Sequence, residues 1–98
     1  MEEIIFGLIM HSGDARSSAM EAIQLAKKGD IDGAKSLIER ANEELGEAHK
    51  TQTKLIQQEA SGNKVEFSLL LVHAQDHLMT TLTVKDLAIE IIELYYRL

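Results

Sequence analysis

Cysteine, proline and tryptophan are all absent from the 98 residues, and only two tyrosines and two phenylalanines occur. Without cysteine there can be no disulfide framework, no thiolate-held zinc or iron-sulfur centre and no thiol nucleophile, so nothing demands an oxidising compartment. Without proline, no helix interior meets the residue that breaks it outright. Basic residues are outnumbered, ten against sixteen acids, for a formal net charge of −6. No run of Lys or Arg is long enough to track a phosphate backbone, so nucleic acid is not an expected partner. The longest apolar run, Leu69 to Val72, falls far below the ~20 residues of a bilayer span. Glu2 and Glu3 stand where a secretory signal would carry Lys or Arg. The expectation is one small acidic domain over residues 1–98, cytoplasmic and without direct membrane insertion.

What is present is helical periodicity, with no sustained strand-type alternation. Ile4, Ile5, Leu8, Ile9, Ala15, Ala19, Ala22, Ile23 and Ala26 form one stripe, which predicts a helix over about 2–28 with a weak spot at Ser12 and Gly13. Gly29 closes it and Asp30 caps the next. Ile31, Ala34, Ile38, Ala41, Leu45, Ala48, Gln52 and Leu55 alternate spacings of three and four, predicting a second helix over about 31–59 with a coiled-coil-like seam. Residues 57–64 read as the only linker. A third helix is predicted from about 65 to 97, with a seam of Leu70, His73, His77, Thr80, Val84, Leu87, Ile91, Leu94 and Leu98. Beside it runs a second row of Leu71, Leu78, Leu82, Ile89, Ile92 and Tyr96. Short connections make neighbouring helices antiparallel, so the expected fold is all-α, an up-down-up three-helix bundle. Helices ~40 to 50 Å long make such a bundle thin-cored, and the wide apolar circumference of the third points to contact with other subunits.

Of the four histidines, His73 and His77 stand one helical turn apart with Asp76 beside them, in a helix that is otherwise apolar. Polar groups placed there cost free energy unless bonded. Spacing leaves three readings open. Two imidazoles and a carboxylate can bind a metal; the His-x-x-Glu-His inverzincin pattern is nearly matched, but Asp76 replaces the general-base Glu on a shorter arm. A buried polar layer can fix the register of a non-enzymatic adaptor bundle. A neutral imidazole can also be a nucleophile toward phosphorus, with Gln75 and Thr80 as nearby donors and Leu71, Leu78 and Met79 as apolar surround or core.

The string Val72-His73-Ala74-Gln75-Asp76-His77-Leu78-Met79, preceded by Ser12-Gly13-Asp14-Ala15-Arg16-Ser17 and by Glu47-Ala48-His49-Lys50-Thr51-Gln52-Thr53-Lys54-Leu55, closely resembles the lactose/cellobiose-type IIA component of the bacterial sugar phosphotransferase system, over essentially the whole chain. The resemblance implies that His73 takes a phosphoryl group from the carrier HPr and passes it to a cysteine of a cognate IIB protein, with IIC in the membrane, for uptake of a lactose, cellobiose or chitobiose-type disaccharide. His77 and Gln75 would neighbour the site. It further implies a homotrimer, a nine-helix bundle, in which Asp76 of each subunit meets the others on the threefold axis around a divalent cation, magnesium by expectation. Converging carboxylates in an apolar seam would repel one another unless neutralised. No role carries over to His11, expected to be a partly exposed helical residue, while His49 is expected either to lie near the site or, the favoured reading, only to pack against the third helix.

Overall fold

A computed structural model describes residues 1–98 as three helices. They are α1 (Glu2–Lys27), α2 (Ile31–Ala60) and α3 (Leu69–Arg97). The α1–α2 turn works as its residues suggest: Gly29 takes φ +90°, a backbone conformation that costs other residues a Cβ clash. The Asp30 carboxylate then accepts the Gly33 N–H at 2.9 Å, capping α2. Gly62 does the same service after α2, with φ +92°.

The third helix begins at Leu69, four residues later than its apolar pattern suggests. Residues 63–68 are irregular. Ser68 is the actual N-cap, its hydroxyl accepting the Leu71 N–H at 3.1 Å. Val65, which periodicity assigns to the helix, is instead a buried residue of the connection, folded into the core beside Leu55 and Leu71. A buried apolar side chain carries the same pattern signal whether its backbone is helical or extended.

The bundle is long and thin, 51 × 20 × 17 Å. Its core is built largely of alanine, with Ala15, Ala19, Ala22 and Ala26 on α1, Ala34, Ala41 and Ala48 on α2, and Ala74 and Ala88 on α3. Small side chains let the backbones approach closely, so few atoms are needed to fill the space. Two apolar clusters result, one around Leu8, Leu45 and Leu78 and one around Ile38, Ala88 and Ile92. Ser12 and Thr81 are buried with them.

Packing is uneven: α1 makes more extensive contact with α2 and with α3 than those two make with each other. An apolar groove is therefore left between α2 and α3, lined near its loop end by Ile56, Phe67, Val72 and Gln75. The two apolar rows of α3 separate only in part. Leu71, Leu78 and Ile92 of the second row face the intrachain core, whereas Ile89 and Tyr96 of that row are exposed, as are Leu70, Leu87, Leu94 and Leu98 of the heptad-like seam; Val84 of the seam packs against the core. Much of the surface beyond what two partner helices can cover is thus the seam.

Candidate active site

His73 and His77 lie in the first half of α3, one turn apart, and their rings stack nearly parallel, 7° between planes and 6.2 Å between centroids. His73 is exposed; His77 is half-buried. On its α1 side His77 lies beside Gly13, where an added methyl group would sit 3.7 Å from His77 Nε2. His77 thus sits between α1 and His73, whose own ring is left in solvent. Neither ring hydrogen-bonds to another side chain. The one histidine that does is His11, whose Nδ1 lies 2.6 Å from Glu44 Oε2 across the α1–α2 contact.

The other residues of the motif distribute round the helix at about 100° per position. Asp76 falls about 60° from His73; it is exposed and forms no ion pair within the chain. Gln75 falls about 160° away, on the opposite flank. There its Oε1 accepts from Gln52 Nε2 of α2 at 2.6 Å. Gln75 and His73 are therefore not brought together within one chain, although two positions apart in sequence. The Thr80 hydroxyl, a donor candidate from its position, is turned back onto the helix, donating to Asp76 O at 2.9 Å and His77 O at 3.2 Å. Leu71 and Leu78 are core, and of the proposed apolar surround only Met79 is exposed. His49 is exposed on α2 rather than packed.

Two apolar residues escaped the sequence reading. Phe6 and Met10 are exposed and share with Gly13 the flank of α1 beside His77. The same positions read equally well as the edge of the α1 stripe, so no sequence signal set them apart. Within one chain no three His, Asp or Glu side chains gather into a metal-holding group. A metal bound through Asp76 would have to draw further carboxylate or imidazole ligands from other chains, with water completing its shell.

An exposed imidazole backed by a second one, on a rigid helix and bordered by apolar surface, is suited to carry a group between protein partners. Comparison with known proteins gives the family. The family described as "PTS system, Lactose/Cellobiose specific IIA subunit" matches residues 3–96. The chain is 59% identical over 98 residues to the lichenan-specific phosphotransferase enzyme IIA component of Bacillus subtilis (strain 168), covering 100% of this chain and 89% of that one. Among solved structures it is similar to the PTS cellobiose-specific enzyme IIA from Bacillus anthracis, with a TM-score of 0.95 and 55% identity over 98% of this chain and 88% of that one. It is also similar to the IIA(chitobiose) chain solved with HPr from the N,N'-diacetylchitobiose branch of the Escherichia coli phosphotransferase system, TM-score 0.85 and 47% identity over 98% and 93%. The chain belongs to the lactose/cellobiose-specific IIA family of the phosphotransferase system, and is an enzyme component of that system.

Proposed function

We propose that the protein carries a phosphoryl group on His73. A nitrogen of the neutral His73 imidazole attacks the phosphorus of phosphohistidine on HPr; the new N–P bond forms as the old one breaks, and the HPr imidazole leaves. A cysteine thiolate of a IIB protein then takes the phosphoryl group from His73 in the same way, and IIB with IIC phosphorylates a disaccharide of the lactose, cellobiose or chitobiose type during uptake. The observation that carries this reading is the pairing of an exposed His73 with a His77 held against α1. An N–H of the His77 ring would offer a donor to the phosphoryl oxygens arriving on its neighbour, and exposed Phe6, Met10 and Met79 supply apolar surface for docking. HPr as donor is supported by the similar chain solved in complex with it. The reaction belongs in the cytoplasm, and no helix is long and apolar enough to cross a membrane.

The exposed seam of α3 supports a homotrimer, with three parallel copies of that helix about a threefold axis. Asp76 would point inward, and its unpaired, exposed carboxylate is of the right chemistry to share a hard divalent cation such as magnesium with its two copies. The cation would neutralise three like charges. In such a ring His73 lies to one side of Asp76 and Gln75 to the other, so His73 of each subunit borders the Gln75 flank of the next. Gln75 thereby neighbours the phosphorylated ring across the subunit boundary.

The test is incubation with phosphoenolpyruvate, Enzyme I and HPr, followed by intact mass measurement. An acid-labile phosphate is expected on the natural chain and none on His73→Gln, which should keep its helicity because His73 is exposed. Undiminished labelling of His73→Gln would sink the assignment, and no labelling of either chain would favour a non-enzymatic adaptor.

A further inference from the structure

One polar side chain in the α2 seam is unaccounted for by the site described so far. Gln52 stands between Ala48 and Leu55, both buried, at a half-buried position where an amide costs free energy unless its groups are bonded. It is bonded to α3 twice: Nε2 lies 2.6 Å from Gln75 Oε1 and 3.5 Å from Met79 Sδ. A thioether sulfur can only accept, so the nitrogen end of Gln52 faces α3 with both hydrogens committed.

We propose that Gln52 is a positioning residue for phosphoryl transfer, acting through Gln75. A glutamine amide can turn either end outward with little intrinsic preference. With its oxygen occupied by Gln52, Gln75 presents its NH2 group outward, and that group has no partner in the chain. A phosphoryl group offers only acceptor oxygens, so the outward NH2 donates to it, whereas an outward carbonyl would repel it. The Gln52 contact therefore selects the orientation that stabilises phosphohistidine on the adjoining subunit. The inference rests on the reading of His73 as the phosphoryl carrier and of Gln75 as its neighbour across the subunit boundary.

The decisive variant is Gln52→Glu. The introduced carboxylate accepts but cannot donate, so Gln75 turns its NH2 inward and shows its oxygen to the phosphoryl group. With HPr, Enzyme I and limiting phosphoenolpyruvate, the equilibrium ratio of phosphorylated to free His73 should fall about tenfold, the size of one hydrogen bond to a charged group. Helicity and oligomeric mass should not change. Gln52→Leu suits the apolar seam and so preserves folding; it releases the amide without reversing it, and about a threefold loss is expected. The side-chain amide resonances of Gln75 should move on phosphorylation of the natural chain and stay in place in Gln52→Glu. In a Gln75→Leu background, Gln52→Leu should cost nothing further. A natural equilibrium ratio in Gln52→Leu, or a loss that adds fully to that of Gln75→Leu, would overturn the proposal. Failure of the unsubstituted chain to be phosphorylated on His73 would instead overturn the underlying reading, and this one with it.

Discussion

Thr81→Val should make the protein more stable. Thr81 is fully buried, and its Oγ1 has no hydrogen-bond partner. The carbonyl one turn back, His77 O, is already approached by the Thr80 hydroxyl, which leaves Thr81 without the usual helical acceptor. An unpaired buried hydroxyl costs about 1–3 kcal/mol by mutational measures. Valine keeps the branched shape and nearly the same helix propensity, so neither a cavity nor a strained rotamer offsets the gain. The expected change is about 1–2 kcal/mol of stabilisation, which for a chain of this size is a rise in Tm of roughly 4–16 °C, taking 4–8 °C per kcal/mol. The assay is urea unfolding followed by circular dichroism at one fixed protein concentration, since association adds to apparent stability. The midpoint should rise with m unchanged. A midpoint that stays put or falls would refute the reasoning, because it would mean that the hydroxyl has a partner such as an internal water. Ser12→Ala should move the same way, since Ser12 Oγ is also buried and unpartnered.

Three further outcomes follow from the geometry. Gly13→Ala places its methyl at van der Waals distance from His77 Nε2, 3.7 Å, so it should stabilise α1 by about 0.5–1 kcal/mol without loss of phosphorylation; a destabilised protein in thermal melts would show that the backbone approach needs the glycine. Leu78→Ala opens a cavity at a fully buried position and should cost about 3–5 kcal/mol in urea unfolding. Asp76→Leu, on the proposed axis, should preserve the trimer by sedimentation while removing bound divalent metal by elemental analysis; stoichiometric metal in that variant would place the metal elsewhere.

The helical class, the α1–α2 turn and the order of the three helices were legible because each rests on local chemistry, whereas the linker expected at 57–64 lies later, since α2 runs to Ala60 and the irregular connection to Ser68. Asp30 caps α2 from its own neighbourhood, and Gly29 and Gly62 supply backbone that other residues avoid. The start of α3 was not legible, since Val65 is apolar in order to fill the core from a loop, and only the path of the chain reveals that. The candidate site divides in the same way. His73, Asp76 and His77 announced themselves as polar residues in an apolar helix. Gln75 did not disclose its partner, because Gln52 lies on another helix, 23 positions away in sequence.

By itself, then, the sequence determined that the chain is three long helices, that it holds no thiol, and which two imidazoles stand one turn apart. These follow from residue identity, short-range spacing and missing proline and cysteine. Only the tertiary structure decided which residues of α3 are core and which are left exposed, that Gly13 lies beside His77, and that Gln52 of α2 hydrogen-bonds Gln75. Those facts depend on which helix lies against which, and that is set by alanine-lined contacts between residues tens of positions apart, beyond the reach of any local pattern.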